Sequence, residues 1–229
     1  MKTVDKVKSS KSKKTKGKKY SGFTKFRKDW LEPIIIALVL VVIIKTFIIQ
    51  NFKIPSSSME DTLLVGDRLF AQKFIYGAKI PFTNFRIFKI RDPKPGDVIV
   101  FKYPEDPSKD YIKRCIAVGG QTIEIRDKKV FVDGEIQSLP KHAKFIDHNI
   151  LPDRLGPRDN LSPRKIPEGN FFAMGDNRDN SNDSRYWEYV PYENLKGKAL
   201  FIYWSLDPDV PIYDIIHKVR WRRMFDIIR

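Results

Sequence analysis

Apolar residues run unbroken from Ile34 to Ile44 and continue, with Lys45 as the one charge, to Gln50. The run "PIIIALVLVVIIKTFIIQ" is 18 residues long. As a helix it spans ~27 Å, close to one hydrocarbon core. Trp30 flanks one end, where an interfacial aromatic belongs, and Lys45 lies near the other, where its stem can reach headgroups. One N-terminal transmembrane helix over residues 31–50 is expected.

Past Gln50 the pattern changes period. "DRLFAQKF" (67–74), "DVIVFKY" (97–103), "DYIKRCIAV" (110–118), "QTIEI" (121–125), "KVFVD" (129–133), "NFFAMG" (170–175) and "KALFIYW" (198–204) are short and rich in Val, Ile, Phe and Tyr. Turn signals such as "PKPGD", "GGQ" and "PEGN" separate them, and Asp-Gly in "KVFVDGEIQ" marks a hairpin tip. The expected fold is mostly β, an antiparallel, strongly twisted sheet over residues 51–133 and 169–229. Residues 134–168, rich in Pro, Asp, Asn and Arg, read as a small loop-rich insertion. "YDIIHKVRWRRMFDIIR" has the pattern of a basic amphipathic helix, packed on the domain or laid on headgroups. "PFTNFRIF" (81–88) is core, or an apolar patch if exposed.

Charge sharpens the topology. Residues 1–30 carry a net charge of +10, whereas residues 51–229 carry only +5. "KSSKSKKTKGKK" lacks the apolar surface to fold and reads as a disordered tail. Directly before a membrane-type segment, such a tail fits anionic lipid better than nucleic acid. The positive-inside rule places residues 1–30 in the cytosol and residues 51–229, the β domain, outside. A cleaved signal peptide is the competing reading, but the bulky "FIIQNF" offers no small-x-small cut site.

The candidate chemistry is narrow. Cys115 is the only cysteine, so a disulfide framework and a cysteine-based metal site are excluded. His142, His148 and His217 sit in no recognisable motif, and no HExxH or His/carboxylate cluster appears; no metal and no cofactor is expected. "NFKIPSSSMEDTL" places three serines, Ser56 to Ser58, just past the anchor. Without a histidine, a base must be a lysine, and at pKa 10.4 only about 4 in 10,000 lysines are neutral at pH 7. Burial must lower that pKa by ~3, at roughly 4 kcal/mol. In "DYIKRCIAVGG", strand alternation puts Lys113 on one face with Tyr111, Cys115 and Ala117, and Arg114 on the other. "MGDNRDNSNDSRYW" (174–187) has the density of short polar side chains that suits a rigid, self-bonded loop.

Taken together, "PSSSM", "GDRLF", "GDVIVFKYP", "DYIKRCIAVGG" and "GDNRDNSNDSRYW" resemble bacterial type I signal peptidase, in order and at compatible spacing. The resemblance implies a serine nucleophile at Ser58 and a lysine general base at Lys113. It implies Ser56 and the backbone N–H of Ser58 as the oxyanion hole, and Ser181 as the group orienting the lysine. Asp176 with Arg114, and Asp183 with Arg185, match supporting polar pairs. Phe52, Ile54, Met59, Leu63, Tyr111 and Ile112 fall where the family lines shallow pockets for small side chains such as Ala. Two positions depart: Asp61 stands where many members have Pro, and Ser57 where several have Gly.

The implied activity is removal of signal peptides from exported preproteins after Ala-x-Ala-type sequences. Preproteins and the lipid bilayer are the implied partners. A self-cleaving repressor or specialised maturation protease with the same dyad is the enzymatic rival; a membrane-tethered binding protein is the non-enzymatic one. Ser58 lies eight residues past Gln50, a tether of ~27 Å fully extended. Any chemistry at Ser58 is therefore held close to the membrane surface.

Overall fold

The computed structural model describes residues 26–80, 83 and 85–229. The tail over residues 1–25 and part of "PFTNFRIF" lie outside the described residues. The apolar run forms one helix, α1 (Arg27–Ile48), of 22 residues, or ~33 Å. From Pro33 to Ile44 it is apolar on all faces, and none of its side chains is buried within the protein. The helix stops two residues before the expected end. Ile49 and Gln50 instead open strand β1 (Ile49–Lys53), which pairs antiparallel with β2 (Asp67–Gln72). β-branched Ile49 and a neighbouring edge to pair with outweigh helix continuation there.

The described residues hold thirteen strands, β1 and β2 included. The short pair β3 (Ala78–Lys79) and β4 (Arg86–Ile87) stands alone. Then come β5 (Val98–Lys102), β6 (Asp110–Val118), β7 (Thr122–Arg126), β8 (Lys129–Val132) and β9 (Glu135–Ile136). β10 (Leu161–Lys165), β11 (Asn170–Met174), β12 (Val190–Pro191) and β13 (Leu195–Ser205) complete the set. Seven of them form an antiparallel sheet in the order β1-β2-β13-β5-β6-β11-β12. Register shifts along β13 and between β11 and β6 mark bulges that bend and twist this sheet.

The sheet is buried on both faces. β5 shows how: Val98 and Val100 pack with Ile54, Met59, Leu63 and Leu69 on one side. Ile99 and Phe101 pack with Cys115, Phe171 and Trp187 on the other. Each fully buried side chain of this size contributes ~1.5–3 kcal/mol.

β7, β8, β9 and β10 form a second antiparallel sheet. It joins the first through a shared core in which Ile123, Val132 and Leu161 meet Ile116, Phe172 and Met174. The Asp133-Gly134 tip has positive φ at both residues (52° and 83°), the hairpin turn that Asp-Gly favours. A division at residue 134 thus cuts through this sheet, because β10 returns from the loop-rich stretch to pair with β7. Leu161 is the anchor, with its side chain in the shared core.

The C-terminal amphipathic helix does not form. Only short turns appear, α2 being Ser184–Trp187 in the polar loop and α3 Ile215–Lys218 near the end. Residues beyond α3 run back along β13: Phe225 N–H donates to Ile202 O and Ile228 N–H to Leu200 O. Ile228 enters the core and Arg223 pairs with buried Asp67. These tertiary contacts override the helical pattern.

Candidate active site

β1 delivers the chain to Ser58. Ile54 is buried and its N–H is tied to Asp67 O, which fixes the start of the serine stretch. Past Ser58 the chain turns tightly, with Glu60 N–H donating to Ser57 O (3.0 Å) and Leu63 N–H to Met59 O (2.6 Å). Lys113 comes from the middle of β6, across from Ile99 of β5. A hydrogen bond joins Lys113 Nζ to Ser58 Oγ.

Lys113 is 3% exposed. Burial pushes its pKa from 10.5 down to about 8, with Asp183 and Asp176 pulling it partly back and Arg185 adding to the drop. Nζ stands 5.6 Å from the centre of the Tyr111 ring, on the face that strand alternation assigns to both. Arg114, next in sequence, turns the other way and clasps Asp176 (Nε to Oδ1 2.8 Å, Nη2 to Oδ2 2.6 Å). Thr62 Oγ1 donates to the same carboxylate at 2.5 Å.

The polar loop after β11 wraps the back of Ser58. Asn177 N–H donates to Ser58 O at 3.1 Å, and Asp176 N–H to Met59 Sδ at 3.4 Å. Gly175 passes so close that a Cβ there would overlap Ser58 O and Ser181 Oγ. Asp183 and Arg185 brace the loop from within. Arg185 binds both Asp183 oxygens at 2.8 Å and reaches Arg158 O and Arg178 O. Asp183 also accepts from Gly175 N–H (3.0 Å) and caps α2 through Arg185 N–H. Complete burial alone would raise the Asp183 pKa, but the Arg185 charge and these hydrogen bonds reverse it and hold the carboxyl below its ordinary value.

The serines have separate surroundings. Ser56 is exposed, with Oγ 3.5 Å from Ser58 Oγ. Ser57 needs no positive φ here; Asn180 Nδ2 donates to its Oγ (3.1 Å) and Asn177 Nδ2 to its O (3.2 Å). Asp61 adopts φ 71°, which proline's ring forbids. Lys144 bridges it (3.1 Å) and Glu60 (3.2 Å), tying the loop-rich stretch to the turn after Ser58. Ser181 is buried against Gly175, and its Oγ makes no hydrogen bond of good geometry, to Lys113 or to any other described residue. It lies near enough to Asp183 to help keep that group ionised.

A cleft of about 380 Å³ opens over Ser58 and Lys113. Phe52, Ile54, Met59, Tyr111 and Ile112 line it. Leu63 does not: it is 0% exposed and packs in the core behind the cleft. Sequence reading passed over Thr62, Lys144, Gly175, Asn177 and Asn180. Asn177 and Asn180 lay in view in the polar loop, but their partners near Ser58 are about 120 residues away in sequence. The three histidines are not in the cleft lining.

Comparison with known proteins places the chain in a family. The family described as "Signal peptidase, peptidase S26" matches residues 27–204. A signal peptidase I of Pseudomonas fluorescens is 37% identical over 73% of this chain and 69% of its own length. One from Aquifex aeolicus is 34% identical over 78% of this chain and 84% of its own length. A solved signal peptidase I structure from Enterococcus faecalis aligns with 47% of this chain and 97% of its own, at 24% identity and a TM-score of 0.38. With the match covering the helix, Ser58, Lys113 and the polar loop, this chain belongs to the signal peptidase family, peptidase S26.

Proposed function

We propose that this peptidase is a membrane-anchored serine endopeptidase that cleaves N-terminal signal peptides from exported preproteins, with Ser58 as nucleophile and Lys113 as general base. The observation that carries the reading is the hydrogen bond between Ser58 Oγ and a lysine amine that burial brings to about 8. At that value roughly a tenth of the amine is neutral near pH 7, several hundred times more than for an unperturbed lysine.

Neutral Nζ accepts the Ser58 Oγ proton as Oγ bonds to the scissile carbonyl carbon. The oxygen that gains charge lies against the Ser58 N–H and the Ser56 hydroxyl. The Ser58 N–H has no acceptor among the described residues, and Ser56 Oγ is poised 3.5 Å from the nucleophile. Protonated Lys113 then gives its proton to the leaving amine as the C–N bond breaks. A water attacks the acyl-serine, Lys113 takes its proton, and Ser58 recovers its own. Ser181 bounds the space beside Gly175 and orients the amine through packing and the Asp183 field. Asp176–Arg114 and Asp183–Arg185 hold the loop that fixes Ser58.

The cleft walls from Phe52, Ile54, Tyr111 and Ile112 take an extended peptide with small side chains, the Ala-x-Ala pattern. Met59 closes its floor. Helix Arg27–Ile48 anchors the enzyme in the cytoplasmic (inner) membrane, with the basic N-terminus on the cytosolic side against anionic lipid. The β domain then lies outside, where a preprotein's cut site emerges. Residues 134–168 brace the nucleophile turn through Lys144.

The test is preprotein cleavage in detergent by the wild type and by Ser58→Ala and Lys113→Ala. Both variants should lose all but a residual rate. Full activity in either sinks the dyad.

A further inference from the structure

A second cleft, of about 420 Å³, opens between the β8–β9 hairpin, the stretch before β5 and the start of the polar loop. Its walls are largely apolar, from Ile116, Val130, Ile136, Leu139 and Phe145. Its charges are of one sign. Arg114, Lys128, Lys129 and Arg178 line it, and no carboxylate does.

Two of those cations are already answered. Arg114 is neutralised by Asp176. Lys128 is held by Asp179 at 2.9 Å and Asp159 at 3.8 Å. Arg178 differs. It is 3% exposed, its Nε is sealed from solvent without an acceptor, and no carboxylate pairs with it among the described residues. Burial pushes its pKa down to about 10, against the more distant pull of Asp176 and Asp183. A buried, unpaired guanidinium is among the costliest arrangements in a protein interior. Its cost is relieved by an anion that enters from the cleft and accepts its N–H groups.

We propose that this cleft is a binding site for a carboxylate carried on an apolar body, with Arg178 as the anion receptor. One unanswered buried charge matches a monoanion. The aliphatic and aromatic walls match a hydrocarbon body, and the volume lies in the ordinary range for small ligands. A free fatty acid and the C-terminal residue of a peptide both present this chemistry. The site is distinct from the cleft over Ser58, with which it shares no lining residue.

The experiment uses the full chain in nonionic detergent. Octanoate and N-acetyl-leucine, each labelled with carbon-13 at the carboxyl, are titrated by NMR; octanol and octyl phosphate are the controls. Arg178→Gln removes the receptor charge. Ile136→Glu places a competing carboxylate at a rim position that is 61% exposed, where folding tolerates it. At least one carboxylate probe should saturate, and both variants should weaken it by about tenfold or more. Saturation by octanoate alone assigns a fatty acid; saturation by N-acetyl-leucine alone assigns a peptide terminus. The proposal fails if neither probe saturates, if octanol or octyl phosphate binds as tightly, or if a folded variant binds like the wild type. If Arg178→Gln does not fold, Ile136→Glu decides.

Discussion

Replacing Lys113 by methionine should separate the lysine's two roles. The amine is nearly fully buried, and its pKa falls from 10.5 to about 8, with burial as the main cause. At ~1.36 kcal/mol per pH unit, that difference corresponds to ~3.4 kcal/mol of extra cost for burying the charged form. The sign follows from linkage. Below pH 8 the lysine is protonated in both folded and unfolded chains, and the full cost is present. Between about 8 and 10.5 the unfolded chain holds a proton that the folded chain lacks, so wild-type stability rises with pH. Lys113→Met has no such proton. Its stability advantage over the wild type should therefore shrink by ~3.4 kcal/mol as pH climbs through this window. The assay is guanidinium unfolding of both chains in detergent, followed by tryptophan fluorescence across the pH range. Other titrations cancel in the difference. A gap that stays constant within ~1 kcal/mol would refute the claim that burial sets this lysine's proton affinity. The same variant should be inactive, so a gain in stability and a loss of turnover would appear together.

Two further substitutions probe how Ser58 is held. Gly175→Ala pushes a Cβ into Ser58 O and Ser181 Oγ; kcat/KM on a preprotein should fall by about 10²-fold with the dyad itself intact, and unchanged kinetics would show that the loop does not position the nucleophile. Asp61→Pro cannot adopt φ 71° and breaks the Lys144 bridge; it should cost ~1–3 kcal/mol in urea unfolding, and a neutral effect would mean that the turn accepts the proline geometry.

Much of the sheet was legible in the sequence because its strands are local patterns. β6 spans Asp110–Val118, the stretch that alternation marks, and Arg114 turns away from the Lys113 face as the period of two requires. What the sequence hid are the tertiary choices. Ile49 and Gln50 continue an apolar helix by composition, yet pair with β2 because an edge is available. Leu161 sits in a Pro- and Asp-rich stretch that carries no strand pattern, and its pairing with β7 rests on one shared core. The C-terminal segment has a helical period but gains more by running along β13. At the candidate site, Ser58 and Lys113 were legible through the likeness of "PSSSM" and "DYIKRCIAVGG" to family motifs, since residue type alone does not separate Ser58 from Ser56 and Ser57. Asn177, Asn180 and Lys144 were not, because each acts on a backbone or side chain far away in sequence. Leu63 sits close to Ser58 in the chain, but the tight turn at Met59 sends it inward.

The pH dependence of kcat/KM for a preprotein tests the central claim most directly, namely that buried Lys113 is the base for Ser58. The free enzyme's essential base sets the acid limb of that profile. With Lys113 brought to about 8, the rate should fall about tenfold per pH unit below that value and level off above it. An acid limb centred near 8 is the predicted result. A profile that stays flat from about pH 5 to about pH 9, or breaks at a histidine-like value near 6.5, would contradict it.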